Sequence, residues 1–389
     1  MKASFAGRRF LIIVTLGLTA VFLGGVARIV QNSCGPFTDV TPTICPYVLE
    51  MYYLGITAGT SPTTFSPGNP LTRGQAAVFV AKGLDQALAR SSRRAALGQW
   101  WTTTPQFSSG LGVTNLTGAP QGVASDGTDL WVARPDEVVR VRASDGMIVQ
   151  IWTGATAAES VLVAMGRIFV TGHTNPGSLY MIDPMQPAGT VTTVASNLGS
   201  EPLDIAFDGS RLWTTNNLLV TGSVSIVTPG PTLPWSVTTV TGFRGLFGAI
   251  FDGTNIWVGE VQSGNLLKLD ANGAVLQTVQ VGTMQFIGFD GTNIWAPNPT
   301  SVSVVRAATG QVVATLTGNG ATDGNAAAFD GERVLITNFN TNTVSLWKAA
   351  DLTPLGSFST GPSSLPNRVC SDGLNFWITL QGAGQLARF

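Results

Sequence analysis

From residue 110 onward, short apolar runs alternate with turns rich in Gly, Asn and Asp. Alternation of apolar and polar residues over short runs is typical of β-strands, and helical periodicity is absent from this region. One heptad, FDGTNIW, occurs twice letter for letter, and its relatives keep the Asp-Gly pair and a bulky apolar residue five positions after the Asp. The copies begin at Ser125, Phe207, Phe251, Phe289, Phe329 and Ser371, and a degenerate copy, MGRIFV, begins at Met165. Such recurrence indicates a unit of architecture rather than a catalytic motif.

The bulky apolar residue of each copy marks a repeat of about forty residues, a length typical of propeller blades. The markers are Trp131, Phe169, Trp213, Trp257, Trp295, Leu335 and Trp377, with steps of 38, 44, 44, 38, 40 and 42 residues. Each unit divides into four strands, because the Asp-Gly turn joins a first strand to a second and two further alternating runs follow. One such sheet cannot bury both of its faces, so we predict a mainly β fold with a seven-bladed β-propeller over residues 105–389.

The seventh repeat contains only three of its four strands before Phe389. A segment ahead of the first repeat, LGVTNLTG at 111–118, resembles VVATLTG at 312–318, which is a fourth strand. We therefore predict that the strand near 111–118 completes the seventh blade and removes an exposed sheet edge.

The repeated Asp and Trp residues are interpreted as structural. An Asp in an Asp-Gly turn accepts backbone N–H bonds, and the markers fill the space between blades; acid/base or calcium chemistry and carbohydrate stacking are the alternatives. Ligand contacts are sought instead three residues after each marker, where the residue type varies and the channel mouth is expected. The candidates are Arg134, Asn216, Glu260, Asn298 and Asn338, with a solvated loop as the alternative for each.

The N-terminus and the low charge content predict a protein that lies outside the cytoplasm. Charged residues make up only 11% of the chain and the formal net charge is -1, so no basic field attracts nucleic acid or anionic lipid. Lys2, Arg8 and Arg9 precede an apolar run, which predicts a signal peptide over residues 1–27, with an uncleaved membrane anchor or a lipoprotein attached through Cys34 as alternatives. A disulfide between Cys34 and Cys45 suits an oxidising compartment, and Cys370 is expected to be a small buried thiol.

An N-terminal module over residues 34–85 has a different, helical pattern. Pro46 to Leu54 has helical spacing, GITAGT interrupts it, and Thr72 begins a second helix with Gln75 completing a capping box. That second helix is expected to bury one apolar face. The face consists of Ala76, Val78, Phe79, Val80 and Leu84.

This module resembles the S-layer homology (SLH) domain, whose motifs follow the order F-x-D-V, helix, G-I-x-x-G, F-x-P loop and T-R-A-E helix. The matching residues are Phe37, Asp39, Val40, Gly55, Ile56, Gly59, Phe65, Pro67, Thr72 and Arg73. The resemblance implies that Arg73 and Gly59 contact an anionic cell-wall polysaccharide; for Arg73, capping or solvating the helix start is the alternative. Gly74 and Gln75 depart from the family's Ala-Glu, and only one copy is present where three are common.

A basic and polar linker over residues 86–104 joins this module to the repeats. The repeats resemble seven-bladed propellers of the YVTN and NHL type and the blades of streptogramin lyases. Those lyases use several histidines and a metal, whereas this chain has only His173. No catalytic, metal or cofactor motif is evident, so none is expected. The leading hypothesis is a noncatalytic cell-surface protein that binds cell-wall polysaccharide through the SLH module and a surface glycan or protein through the propeller. The alternative is a secreted propeller lyase or hydrolase with a dispersed site.

Overall fold

The computed structural model describes residues 34, 36–53, 56–83, 112–218 and 221–389. Contacts divide the chain into two units, Met1–Arg90 and Ser91–Phe389. The predicted signal peptide and linker lie outside the described residues, so their bounds stay predictions.

The first unit contains two helices among its described residues, α1 (Cys45–Tyr53) and α2 (residues 73–83). Its core forms around Phe37, which is 2% exposed and packs with Val48 and Cys34. The prediction that α2 buries an apolar face is wrong for two of its members, since Val78 and Val80 are exposed. Ala76 and Phe79 are half-buried, and Leu84 lies outside the described residues.

The second unit consists of seven antiparallel four-stranded sheets, and the predicted mainly β, seven-bladed propeller is confirmed. The first blade consists, from its first to its fourth strand, of β2 (Val123–Ser125), β3 (Asp129–Arg134), β4 (Glu137–Arg142) and β5 (Ile148–Thr153). The second consists of β6 (Ala158–Ala164), β7 (Arg167–Gly172), β8 (Gly177–Ile182) and β9 (Thr192–Leu198). The third consists of β10 (Pro202–Phe207), β11 (Leu212–Asn216), β12 (Gly222–Thr228) and β13 (Ser236–Phe243). The fourth blade consists of β14 (Leu246–Phe251), β15 (Ile256–Glu260), β16 (Asn265–Leu269) and β17 (Val275–Gln280). The fifth consists of β18 (Gly288–Phe289), β19 (Asn293–Pro297), β20 (Val302–Arg306) and β21 (Gln311–Leu316). The sixth consists of β22 (Gly324–Phe329), β23 (Arg333–Asn338), β24 (Thr343–Lys348) and β25 (Pro354–Ser359).

The seventh blade combines the two ends of this unit. It contains β26 (Pro366–Ser371), β27 (Phe376–Leu380), β28 (Gln385–Arg388) and, as its outermost strand, β1 (Val113–Asn115). Strand β1 is antiparallel to β28, with Val113 opposite Ala387. The early strand thus covers an edge that would otherwise be unpaired.

The first strands of neighbouring blades contact one another around the axis, including β2 with β26, so the ring is closed. Backbone bonds join them, such as Gly122 N–H to Glu159 O at 2.7 Å. The approach is so close that a Cβ on Gly122 would lie 2.6 Å from that oxygen. Only glycine fits at this point.

The markers fill the gaps between blades, as predicted. All seven, Trp131, Phe169, Trp213, Trp257, Trp295, Leu335 and Trp377, are at most 1% exposed. Trp131 of the first blade packs against Val161 and Ile168 of the second. Neighbouring blades therefore cover each other's faces and bury the core between them.

The antiparallel order also sorts the loops onto two rims. The turns between second and third strands and the connections between blades lie on one rim, here called the upper rim. The Asp-Gly turns lie on the opposite, lower rim. Candidate ligand contacts are therefore sought on the upper rim and at its centre.

Candidate functional site

On the lower rim, the Asp of an Asp-Gly turn accepts a hydrogen bond from the marker five residues later wherever that marker is Trp. Asp252 shows the arrangement: Oδ1 accepts the N–H groups of Thr254 and Asn255, and Oδ2 accepts Trp257 Nε1–H at 2.7 Å. The same carboxylate–indole bond recurs in four other blades. These are Asp126–Trp131, Asp208–Trp213, Asp290–Trp295 and Asp372–Trp377. The repeated carboxylates are thus engaged in structural bonds, which explains the constant spacing of the heptad.

The three upper-rim asparagines predicted to contact a ligand are buried instead, each bonded within its own blade. Asn216 Nδ2 donates to the hydroxyls of Ser223 and Ser225. Asn298 and Asn338 make the equivalent bonds, to Ser303 Oγ at 3.0 Å and to Ser345 Oγ at 2.8 Å. None of the three is more than 4% exposed.

Arg134 and Glu260 are also buried and bonded to their own surroundings. Arg134 donates to Thr117 and to Glu137. Glu260 accepts the N–H of Arg244 at 2.8 Å and the hydroxyl of Ser263. The bonds described for the five candidates do not link them to one another. They hold the loops of the upper rim, and ligand contact by these side chains stays a prediction.

At the centre of the ring the structure brings together charged residues that sequence reasoning missed. Arg368, near the start of β26, reaches across the axis to blades two and three. Its guanidinium donates to Leu203 O at 2.9 Å and lies 3.5 Å from both Glu159 Oε1 and Asp204 Oδ1. It also lies over the ring of Phe286 from the fifth blade. One side chain thereby touches three other blades.

The two carboxylates of this central cluster are not equivalent. Asp204 accepts Ser160 Oγ–H at 2.8 Å and Ala249 N–H at 3.0 Å in addition to the ion pair. The carboxylate of Glu159 lies 3.5 Å from Arg368 and has no second ion pair or hydrogen bond of this kind among the described residues. Burial raises the pKa of Glu159, and the charge of Arg368 offsets this only in part. A buried carboxylate with a raised pKa is a feature of functional sites as well as of structural ion pairs.

His173 flanks the central cluster on the upper rim. Its Nε2 lies 4.0 Å from Glu201 Oε2, and its Nδ1 is buried without a hydrogen-bond partner. It is close enough to Glu159 for its charge to lower the pKa of that carboxyl. The chain's one histidine is thus on the edge of the charged cluster.

A sequence signal for this cluster exists, although it is weak. The first strands are otherwise apolar or small, as in LFGAIF and GNAAAF, whereas AESVLVA, PLDIAF and PNRVCS each carry one charge. A charge in an inner strand has to find a partner across the axis. Which blades provide that partner depends on the ring geometry.

In the N-terminal unit, the SLH-like motifs hold the loop that follows α1. Asp39 Oδ1 and Oδ2 accept the N–H groups of Phe65 and Ser66 at 2.8 and 2.7 Å, and these bonds lower the pKa of Asp39. Thr72 and Gln75 form the expected capping box at the start of α2. The motif residues thus have clear structural roles.

The two residues expected to bind polysaccharide differ in what surrounds them. Gly59 has φ of +80°, and a Cβ there would lie 2.4 Å from Phe37 Cε1, so packing alone demands glycine. Arg73 is exposed at the first turn of α2. A disulfide joins Cys34 to Cys45, which anchors the start of the described chain to α1. Polysaccharide binding by Arg73 and Gly59 stays a prediction.

Neither a metal cluster nor a membrane-spanning helix is found among the described residues. No group of three or more His, Cys, Asp or Glu side chains there is arranged to hold a metal ion. No helix in that part of the chain combines the length and apolar character needed to cross a bilayer.

The fold and its preceding module define a class: a closed seven-bladed propeller carrying a small helical domain at its N-terminal side. Residues 36–77 match the family model of the S-layer homology domain, so the resemblance stated for this module is confirmed. No curated protein matches the chain.

Solved structures resemble the propeller in fold. A streptogramin B lyase is 14% identical, with a TM-score of 0.59, over 71% of this chain and 95% of its own. The virginiamycin B lyase of Staphylococcus aureus is also 14% identical, with a TM-score of 0.58, over 71% and 97%. A chain of a mitotic checkpoint complex is 14% identical, with a TM-score of 0.61, over 74% and 96%. Since lyases and a checkpoint component share this fold, it does not specify an activity.

Proposed function

We propose that this protein is a noncatalytic component of the cell surface, attached to cell-wall polysaccharide by its SLH domain and presenting the propeller as a binding surface. The observation that carries the attachment is the SLH match at residues 36–77, because that family is associated with cell-wall polymers. The predicted signal peptide and the disulfide are consistent with an exported protein.

Within the SLH domain, Arg73 is the residue proposed to bind the polymer. Its guanidinium is exposed and makes no bond to another described residue. A planar guanidinium pairs with carboxylate or phosphate groups through two parallel hydrogen bonds, which a lysine does not reproduce. Gly59 supports the site by allowing the turn to approach Phe37.

The test is cosedimentation of the full chain with isolated bacterial cell walls, before and after extraction of the secondary polysaccharide. We expect binding that is lost on extraction and weakened about 10- to 100-fold by Arg73→Ala. Arg306→Ala is the matched control, since it removes an exposed arginine from the propeller. Equal binding by both variants, or binding to extracted walls, contradicts the proposal.

A secreted lyase or hydrolase is the second candidate, and the central cluster is the observation that favours it. Glu159 is a half-buried carboxyl with a raised pKa, and His173 lies on its flank. A carboxyl of this kind suits general acid catalysis. An activity screen on lactones and polysaccharides, with Glu159→Gln as the inactive control, decides between the two candidates. Turnover that Glu159→Gln abolishes establishes the enzyme.

A further inference from the structure

The mouth of the propeller channel collects polar atoms whose bonding capacity is unused. Arg368 is 6% exposed, and its Nε is buried without a hydrogen-bond partner. His173 Nδ1 is also buried without a hydrogen-bond partner. Glu159 faces Arg368 at 3.5 Å, which is long for a charge-assisted hydrogen bond. Arg368 and His173 therefore present an unpartnered donor and an unpartnered imidazole nitrogen, and the carboxylate of Glu159 interacts with both residues.

These groups lie at the entrance of the channel rather than deep inside it. Glu159, Asp204 and Arg368 are all near the start of a first strand, where the chain arrives from the upper rim. The Glu159 side chain keeps 17% of its surface exposed, so it reaches solvent.

The chemistry of the three groups selects the ligand. An arginine Nε only donates hydrogen bonds and a carboxylate only accepts them, whereas a hydroxyl group does both. An anion would satisfy Arg368 but be repelled by Glu159, Asp204 and Glu201. A cation would satisfy Glu159 but be repelled by Arg368. A neutral molecule with neighbouring hydroxyls satisfies both groups at once.

From this complementarity we propose that the channel mouth binds a neutral saccharide, with Glu159 accepting from one hydroxyl and Arg368 Nε donating to its neighbour. Phe247 offers an apolar surface for the C–H face of a sugar. It is half-buried, lies in the first strand of the fourth blade, and packs against Phe286 with ring centroids 5.6 Å apart. Apolar and aromatic surface beside a few fixed polar groups is typical of small-molecule sites.

This inference rests on the proposed role of the propeller as a binding surface and names its ligand class. It is independent of the cell-wall contact at Arg73. A failure of saccharide binding would leave the cosedimentation result intact, and the reverse also holds.

The experiment uses the full chain on an array of neutral, acidic and amino-sugar oligosaccharides, followed by titration calorimetry with the best neutral oligosaccharide. We expect neutral oligosaccharides to bind, and Glu159→Gln and Arg368→Lys each to weaken affinity about 10-fold or more, because each alters one charge-assisted hydrogen bond. Glu332→Gln and Arg306→Lys make the same chemical changes on the lower rim and should leave affinity unchanged.

Circular dichroism and the thermal unfolding midpoint check that the variants fold. If Arg368→Lys does not fold, the isosteric change Glu159→Gln decides alone. Absence of neutral-oligosaccharide binding overturns the proposal. So does binding limited to acidic or amino sugars, and so does saccharide affinity that neither central variant alters.

Discussion

The carboxylate–indole bond of the heptad makes a quantitative prediction for Asp208→Asn. Asp208 Oδ2 accepts Trp213 Nε1–H at 2.7 Å, and Oδ1 accepts the N–H groups of Ser210 and Arg211. Burial raises the pKa of Asp208, but these hydrogen bonds outweigh burial and lower the pKa from 3.8 to about 2. The asparagine amide would instead point a donor at the indole N–H.

The size of the effect follows from the pKa. At 1.36 kcal/mol per pH unit, a fall from 3.8 to about 2 is worth about 2.4 kcal/mol in the free energy of unfolding. Solvent screening reduces this value, because the carboxyl is only partly buried, so we expect Asp208→Asn to cost about 1–2 kcal/mol at pH 7. Because the folded-state pKa is lowered, the contribution is present above about pH 4 and is lost as the pH falls towards 2.

The assay is urea unfolding followed by tryptophan fluorescence, at pH 7 and again near pH 2.5. The difference between wild type and Asp208→Asn should shrink at the lower pH, where Asp208 begins to be protonated in the folded state. Asp136→Asn removes an exposed carboxylate and should cost less than about 0.5 kcal/mol. A cost at Asp208 equal to that control, or one that does not change with pH, would refute the reasoning.

Two further changes test other parts of the fold. Deleting residues 385–389 removes β28 and with it the partner of β1. The truncated chain should therefore lose its cooperative urea transition and become sensitive to limited proteolysis. An unchanged midpoint of urea unfolding would contradict closure of the ring by this strand pair. Cys34→Ser opens a loop whose ends are 11 residues apart and should destabilise the SLH unit by about 2–3 kcal/mol. Differential scanning calorimetry would show a lower SLH transition, while the propeller transition serves as the internal control and should not move.

The repeat architecture was predictable because each blade solves one packing problem with the same residues. The Asp-Gly turn, the buried marker five residues later and the alternating third strand are all local, so they are visible in a single copy and reinforced by six others. The SLH motifs were recognisable for a similar reason. Asp39, Gly59 and Thr72 each meet a backbone requirement within that unit: accepting loop N–H groups, adopting a positive φ and capping a helix.

The candidate site is harder to predict from the sequence. A change of residue type between repeats suggests a position free of structural demands, and the structure shows that the positions three residues after the markers are not free. The equivalent positions carry three asparagines, one glutamate and one arginine, yet each of these side chains is buried and bonded to a neighbour in its own blade or loop. The asparagines face serine hydroxyls of the third strand, Glu260 faces Ser263, and Arg134 faces Glu137. Different residue types at these positions are therefore alternative ways of holding the loops of the upper rim.

Charged side chains from non-adjacent blades meet on the axis of the ring, and there the repeat pattern is uninformative. Arg368 is 165 residues from Leu203, the carbonyl to which it donates, and its partners come from different blades and different places in their strands. A repeat aligned on its Asp-Gly turns shows only one isolated charge in each of three inner strands. Burial makes an unpaired charge costly, so the three have to meet. Asp204 is also bonded by Ser160 and Ala249, whereas Glu159 is paired with Arg368 at 3.5 Å, and this asymmetry is the reason why we propose a ligand at the channel mouth.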